Sequence, residues 1–330
     1  MKILILGAGG MIGRRIAAAV AEAGTIGGQG VTAMTLADIA EPPVPQAGGL
    51  SIAAHGLDLS EPGAVERLLA DRPDVILHLA AVVSGEAEVD FDKGYRVNLD
   101  AMRAMLDAIR AVPDWCPRLV YASSLAVFGP PFPDRIDDDF APLPATSYGA
   151  QKLMAEILIS DYSRKGHVDG VSLRLPTICI RPGAPNRAAS GFFSGILREP
   201  LAGLPAALPV PESTRHYFAS PRAAVGFFLH AAAMDTAPLG HRRALNMPGL
   251  SATVGEVIAA LRSVAGDAAV ALIRPEPDPL VATIVGGWGM DYTAARARDL
   301  GFTAETRFED IIAAHVEDEL GGRIAKGAGA

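Results

Sequence analysis

Short apolar runs recur along the first half of the chain and alternate with segments whose apolar positions follow a helical spacing. Such runs, which lack the polar alternation of a half-exposed strand, are typical of strands buried on both faces of a parallel sheet. The predicted strands are residues 2–6, 31–37, 50–57, 74–81 and 118–124. Two helices are predicted to begin near Arg14 and Ser60, and the later helices are residues 92–110, 148–164, 221–234, 253–265 and 310–320. This alternation predicts an α/β fold built on a parallel sheet.

The first strand runs directly into a glycine-rich turn that opens a helix. The glycines at 7, 10 and 13 form a GxxGxxG pattern. Without side chains, such a turn lets the backbone approach a pyrophosphate closely, and the helix N-terminus offers free N–H groups to the anion. By itself the motif is also compatible with a plain connection between a strand and a helix. Its position between a buried strand and an Ala-rich helix favours dinucleotide binding by Gly7, Gly10, Met11, Ile12 and Gly13.

Residues at the ends of the next predicted strands extend this interpretation. Asp38 ends the second strand, where its carboxylate can accept both hydroxyls of an adenosine ribose and repel a 2′-phosphate, which favours NAD over NADP. Asp58, with Leu59 beside it, ends the third strand and can meet the adenine amino group. Either aspartate is also an ordinary residue for opening a loop. Leu79 and Ala80 end the fourth strand and complete the predicted cofactor surface.

The most informative chemistry lies at the start of the helix predicted for residues 148–164. Tyr148 and Lys152 are four residues apart and share one helical face. A phenol with an ordinary pKa of about 10 is a poor base at neutral pH, and a nearby ammonium lowers that pKa by favouring the phenolate. Ser124 ends the neighbouring strand and supplies a hydroxyl that can hold a substrate oxygen. The three side chains are typical of a proton-transfer site for alcohol oxidation or carbonyl reduction. His78 is more typical of a core histidine.

Composition and charge exclude several classes of protein. The chain has 330 residues, which is long enough for two lobes, and 50% of them are hydrophobic, which indicates a globular protein. Its net charge of −8 argues against a nucleic-acid partner, which would need basic stripes. Cys116 and Cys179 have no metal-ligand spacing, and we expect no metal. Met1 leads straight into the first strand without a basic leader, and no apolar run is long enough to cross a bilayer. We therefore expect a cytoplasmic protein with no membrane partner.

Several motifs occur in a fixed order along most of the chain. They are GxxGxxG at residues 7–13, His78-Leu79-Ala80-Ala81, Val97-Asn98, Tyr121-Ala122-Ser123-Ser124, Val127-Phe128-Gly129, Tyr148-Gly149-Ala150-Gln151-Lys152, Leu173-Arg174-Leu175-Pro176-Thr177 and Arg181-Pro182-Gly183. In this order and spacing, the chain resembles the extended branch of the short-chain dehydrogenase/reductase superfamily.

The resemblance implies a Rossmann fold: a doubly wound parallel sheet with a smaller C-terminal substrate-binding lobe. It implies an NAD-binding domain at residues 1–175, rejoined by residues 213–248, and a substrate lobe drawn mainly from residues 176–330. Ser124 would be the catalytic serine, Tyr148 the acid/base, and Lys152 the residue that also binds the nicotinamide ribose. The other cofactor contacts that it implies are Asn98, Pro176 and Thr177.

The resemblance also implies a homodimer. In the family, the helix after Asn98 and the helix with Tyr148 and Lys152 pair across a two-fold axis as a four-helix bundle. Apolar residues expected on their outer faces are Met102, Leu106, Leu153 and Ile157.

Differences between this sequence and the motifs of related enzymes limit the reactions that we expect. Leu125-Ala126 follow Ser124 where sugar 4,6-dehydratases have Asp-Glu, so we do not expect dehydration. Residues 215–221 lack the acidic pair of nucleotide-sugar epimerases. The segments at residues 175–183, 188–193 and 198–203 instead resemble dehydrogenases that use NAD to oxidise carbon 2 of a four-carbon aldonic acid such as D-erythronate. We therefore expect a small sugar acid as the substrate.

A short aldonate needs a compact pocket with donors for its carboxylate. Residues 186–191 offer an arginine and a small-residue turn, but they are also compatible with a hinge loop between the lobes. The predicted substrate contacts are Ser84, Ser124, Tyr148, Asn186, Arg187 and Ser190. Two rival functions are a nucleotide-sugar 4-epimerase that keeps its NAD through the cycle and a dinucleotide-sensing regulator. The presence of both Tyr148 and Lys152 disfavours the regulator.

Overall fold

Two compact units make up the chain in the computed structural model, which describes residues 1–46, 48–183 and 189–325. The first unit comprises Met1–Phe128, Pro142–Leu175 and Val225–Met247. The second comprises Gly129–Ala141, Pro176–Ala224 and the chain from Pro248 on.

The described residues form fourteen strands and twelve α-helices. The strands are β1 (Lys2–Leu6), β2 (Thr25–Ile26), β3 (Gln29–Gly30), β4 (Ala33–Asp38), β5 (Ser51–Gly56), β6 (Val75–His78), β7 (Arg118–Ser124), β8 (Asp169–Leu175), β9 (Thr177–Ile178), β10 (Ala206–Leu208), β11 (Arg215–Ala219), β12 (Ala244–Asn246), β13 (Leu250–Thr253) and β14 (Ile273–Pro275). The α-helices are α1 (Met11–Ala23), α2 (Ala64–Leu69), α3 (Ser84–Val89), α4 (Phe91–Tyr95), α5 (Ala101–Arg110), α6 (Ser147–Arg164), α7 (Gly191–Leu201), α8 (Pro221–Ala233), α9 (Val254–Val270), α10 (Pro279–Gly286), α11 (Ala295–Asp299) and α12 (Phe308–Leu320). None of these helices is both long and apolar enough to cross a membrane.

A seven-stranded parallel sheet forms the centre of the first unit. Its strand order is β12-β8-β7-β6-β1-β4-β5, so the chain winds outwards from β1 in both directions. The predicted Rossmann fold is confirmed. In such sheets a ligand lies outside the carboxyl ends of the strands, where the order reverses. That point is the space beside the ends of β1, β4 and β6, which carry the glycine turn, Asp38 and His78.

Helix α5 packs its apolar stripe against this sheet. Met102, Met105, Leu106 and Ile109 are fully buried in one core cluster with Leu4, at the i, i+3, i+4, i+7 spacing of a helix face. The expectation that Met102 and Leu106 lie on an outer face is therefore wrong. Their stripe covers the sheet of their own unit, whereas Ile157 on α6 is 60% exposed.

Local differences from the predicted elements have identifiable causes. The turn expected at residues 25–30 is a short antiparallel hairpin of β2 and β3. The single helix expected at residues 92–110 is interrupted by a π-helical turn at Arg96–Asp100, where the Asn98 side chain bonds to the main chain of Val82. The helix predicted at residues 253–265 ends as expected before Gly266, whose φ is +81°, but a further helical segment continues to Val270.

The second unit has its own core and two small sheets. One sheet has the order β13-β11-β9, and β10 pairs with β14 in the other. Helices α7, α9 and α12 supply most of the buried apolar residues, among them Phe193, Leu261 and Ile312. Helix α7 and strands β10 and β14 did not follow from the apolar pattern.

Candidate active site

The glycine turn brings three stretches of main chain into contact at the end of β1. Gly7 has a φ of +85°, and a side chain there would place its Cβ 2.6 Å from the Ala80 nitrogen. A Cβ on Gly13 would lie 2.2 Å from the Gly7 carbonyl oxygen. Neither distance is possible for a larger residue, so the glycines are required for α1 to start against this turn. Met11 and Ile12 form the first positions of α1, whose N-terminus can receive a pyrophosphate.

The Asp38 carboxylate is hydrogen-bonded to the same turn. Its Oδ2 accepts a hydrogen bond from the Gly9 nitrogen at 2.8 Å, and its Oδ1 accepts one from the Ile39 nitrogen at 2.7 Å. A Cβ on Gly9 would lie 3.1 Å from Asp38 Oδ2 and crowd the carboxylate. Gly9 lies outside the GxxGxxG positions, and sequence reasoning did not assign it this role. The small cradle and its carboxylate fit the pyrophosphate and ribose of NAD.

Three further predicted residues also lie in the first unit. Asp58 Oδ1 accepts hydrogen bonds from the nitrogen and the hydroxyl of Ser60 at 2.8 and 2.7 Å, which lower the pKa of Asp58. Leu59 beside it is half-buried. Ser84 is exposed at the start of α3 rather than on an extended loop.

Asn98 connects the segment after β6 to α6. Its Oδ1 accepts from the Val82 nitrogen at 2.8 Å, and its Nδ2 donates to the Val82 carbonyl at 3.1 Å and to Gln151 Oε1 at 2.7 Å. The side chain is buried. Asn98 therefore fixes the main chain that follows Leu79 and Ala80.

Tyr148, Lys152 and the segment bearing Ser124 meet at the start of α6. Lys152 is 2% exposed, and its Nζ lies 5.5 Å from the centre of the Tyr148 ring. Ser124 Oγ accepts a hydrogen bond from the Ala126 nitrogen at 3.1 Å. A Cβ on Gly149 would lie 2.1 Å from the Ala126 carbonyl oxygen. The first turn of α6 therefore touches the turn that follows Ser124.

Burial controls the electrostatics around Lys152. Its Nζ donates to the Ala122 carbonyl at 2.8 Å and lies 4.7 Å from the centre of the Tyr121 ring. Burial lowers the pKa of Lys152 to about 7, and the charge of Glu156 opposes this effect. Burial, with the charge of Lys152, also lowers the pKa of His78 to about 3. His78 is thus a neutral core residue, as its sequence position indicated.

The remaining predicted residues belong to the second unit or lie outside the described residues. Pro176 is buried, and Thr177 Oγ1 is 2.6 Å from His216 Nε2. The His216 ring stacks on Phe193 with the ring centres 4.9 Å apart, a contact that sequence reasoning did not anticipate. Ser190 is half-buried just before α7. The remaining two, Asn186 and Arg187, lie outside the described residues.

Known proteins similar to this chain cover nearly its full length. D-erythronate dehydrogenase from Cupriavidus necator is 43% identical over 325 residues, which are 96% of this chain and 98% of that protein. D-erythronate dehydrogenase from Haemophilus influenzae is 38% identical over 320 residues, which are 97% of this chain and 100% of that protein. The crystal structure of the nucleoside-diphosphate-sugar epimerase from Agrobacterium tumefaciens has 56% sequence identity and a TM-score of 0.97, and the match covers 98% of this chain and 96% of that chain.

The sequence model of the NAD dependent epimerase/dehydratase family matches residues 3–215, more than half of the chain. This match and the two dehydrogenase relatives confirm the expected resemblance and the expectation of an NAD-dependent oxidoreductase. The chain belongs to the NAD dependent epimerase/dehydratase family.

Proposed function

We propose that the protein is a dehydrogenase that oxidises carbon 2 of D-erythronate, or of a close four-carbon aldonate, to the 2-dehydro acid. The observation that carries the chemistry is the buried Lys152 side chain, whose Nζ lies 5.5 Å from the centre of the Tyr148 ring. Similarity over nearly the whole chain to two D-erythronate dehydrogenases supports the choice of substrate.

In the proposed reaction, the residues of the first unit that contact the substrate or the cofactor have separate roles. The Ser124 hydroxyl orients the substrate hydroxyl, and the Tyr148 phenolate accepts its proton. The Lys152 ammonium stabilises that phenolate. Gly7, Gly10, Met11, Ile12 and Gly13 bind the pyrophosphate, and Asp38 binds the adenosine ribose. NAD, when bound, supplies the hydride acceptor.

The remaining predicted contacts complete the proposal. Asp58, Leu59, Leu79, Ala80, Asn98, Pro176 and Thr177 are proposed cofactor contacts. Ser84, Asn186, Arg187 and Ser190 are proposed to bind the aldonate.

A nucleotide-sugar epimerase is the second candidate, because this chain is 56% identical to the nucleoside-diphosphate-sugar epimerase from Agrobacterium tumefaciens. The same proton-transfer residues serve such a reaction, but NADH is then not released. The stretch Arg215–Ala219 does not carry the acidic pair expected of that class, which favours the dehydrogenase.

NADH release against a panel of substrates separates the two functions. We expect D-erythronate or another four-carbon aldonate to reduce NAD in repeated turnovers, because a free aldonate and free NAD are the reactants. The absorbance of NADH measures this directly, with UDP-sugars in parallel. Micromolar binding of a UDP-sugar, with no NADH formed from any aldonate, would contradict the proposal.

Asp38 is expected to determine the preference for NAD. Asp38→Asn removes the charge that repels a 2′-phosphate, so the ratio of kcat/KM for NAD to that for NADP should fall by about tenfold or more. Asp58→Asn is the matched control and should leave that ratio unchanged. An unaltered ratio in Asp38→Asn would refute this role of Asp38.

Tyr148→Phe tests the proton acceptor. The variant should lower kcat on the order of 10²–10⁴-fold with little change in NAD affinity, because only the phenol oxygen is removed. Tyr162→Phe is a control on the same helix; it loses the hydrogen bond to Asp107 at 2.6 Å and should keep its turnover. Near-normal kcat in Tyr148→Phe would rule out its role as the base.

We propose a homodimer through the outer surface of α3, α4 and α6. Val89, Phe91 and Ile157 on these neighbouring helices are 89%, 56% and 60% exposed, so this surface carries three large apolar side chains. Leu153, half-buried on α6, stays in the proposed interface, whereas Met102 and Leu106 are excluded by their burial.

Ile157→Lys should weaken this dimer, because it places a charge in an apolar interface. Leu280→Lys, at an exposed position of the second unit, is the control and should leave the dimer intact. Light scattering at micromolar concentration measures both. A monomeric native protein, or a dimer that tolerates Ile157→Lys, would contradict the proposed surface.

A further inference from the structure

Glu156 is a buried carboxylate one helical turn after Lys152. It lies on α6 and is 2% exposed. The Ser123 hydroxyl donates a hydrogen bond to its Oε1. Arg174 on β8 donates from Nε to Oε1 and Oε2 at 3.0 and 3.1 Å and from Nη2 to Oε2 at 2.7 Å. The carboxylate is therefore fixed in one place by two strands of the sheet.

Arg174 is itself held on two other sides. Its Nη1 lies 3.3 Å from Asn246 Oδ1 on β12. Its guanidinium carbon lies 5.0 Å from the centre of the Phe128 ring. A guanidinium that donates to both oxygens of a carboxylate fixes orientation as well as charge. The Glu156 carboxylate thus has little freedom to move away from β7 and β8.

Three consecutive residues at the end of β7 connect this network to the active site. The Ala122 carbonyl accepts from Lys152 Nζ at 2.8 Å, and the Ser123 hydroxyl donates to Glu156. Ser124, next in the chain, is the proposed catalytic serine. Lys152 and Glu156 together therefore attach one face of α6 to the strand that carries Ser124.

The groups around Lys152 show why the carboxylate matters. From β6 it faces the neutral His78, and from β7 the Tyr121 ring and the Ala122 carbonyl. From its own helix it faces Tyr148 and Glu156. Among these groups Glu156 is the carboxylate, and its charge favours the protonated Lys152 against the effect of burial.

We propose that Glu156 is a positioning residue for the proton transfer. Its carboxylate, fixed by Arg174 and Ser123, keeps Lys152 charged and keeps α6 seated on β7, so that Tyr148 meets a correctly held substrate. Arg174 limits this effect, because its own charge offsets part of the carboxylate's field. The inference rests on the proposed function only in so far as Lys152 acts there as an ammonium.

Two single variants should move the pKa of Lys152 in opposite directions. Glu156→Gln leaves Arg174 without its carboxylate partner, so the pKa of Lys152 should fall by about one pH unit or more. Arg174→Gln leaves Glu156 with Lys152 as its ionic partner, so the pKa of Lys152 should rise. Glu156→Asp keeps the charge and should lie closer to the native protein than Glu156→Gln does.

NMR titration of the full chain with isotope-labelled lysines measures that pKa without any turnover. The chain has five lysines, and Lys152→Met identifies the signal of interest. The pH profile of kcat/KM with D-erythronate is the second readout. Its alkaline limb, where Lys152 loses its proton, should move to lower pH in Glu156→Gln and to higher pH in Arg174→Gln.

A purely structural ion pair would give a different result. Both variants would then be less stable, and the pKa of Lys152 would stay at its native value or move the same way in both; either outcome overturns the proposal. If a single variant does not fold, the double variant Glu156→Gln/Arg174→Gln removes both charges of the ion pair together and decides the matter. A lower pKa of Lys152 in this double variant supports the proposal, and a native or higher pKa overturns it.

The two proposals can fail separately. A native protein that oxidises no aldonate would contradict the proposed function alone, since the NMR titration of Lys152 remains valid.

Discussion

Lys152 is 2% exposed, and the burial of its ammonium group is the constraint on which the rest of the first unit depends. A charge that leaves water must be compensated by polar or charged partners, otherwise the group becomes neutral. Here the compensation comes from the Ala122 carbonyl, the face of Tyr121 and the carboxylate of Glu156. These partners lie on β7 and α6, and β8 fixes the carboxylate, so three elements must meet in one register. The contacts that make the buried charge tolerable also place it beside the phenol.

The cofactor side depends on close approach of main chain rather than on charge. Gly7 and Gly13 allow β1, α1 and the end of β6 to touch at distances that no Cβ permits. Gly9 lets Asp38 bond to the turn, and Asn98 fixes the segment after β6. The proposed cofactor surface is therefore assembled by residues that mostly bind the protein's own backbone, and the N-terminus of α1 is the proposed site of the pyrophosphate.

The parallel sheet and the Tyr148–Lys152 pair could be predicted because each depends on local sequence: a buried strand is a continuous apolar run, and residues four apart share a helix face. The bond from Gly9 to Asp38 spans 29 residues, and the pair of Arg174 with Glu156 spans 18 residues and two elements, so neither has a local signal. An apolar stripe also does not reveal which surface covers it. For that reason Met102 and Leu106 were expected at an interface but lie in the core of their own unit. The π-helical turn at Asn98 was missed because it accompanies a tertiary bond to Val82.

Hydride transfer from carbon 2 of the aldonate to NAD is the step on which the proposed function depends. D-Erythronate that carries deuterium at carbon 2 tests it directly, with the released cofactor analysed by mass spectrometry. The proposed reaction predicts reduced cofactor in solution with one deuterium per molecule. Reduced cofactor without deuterium would contradict oxidation at carbon 2. The absence of any released reduced cofactor, together with interconversion of a nucleotide sugar, would contradict the dehydrogenase and favour the epimerase.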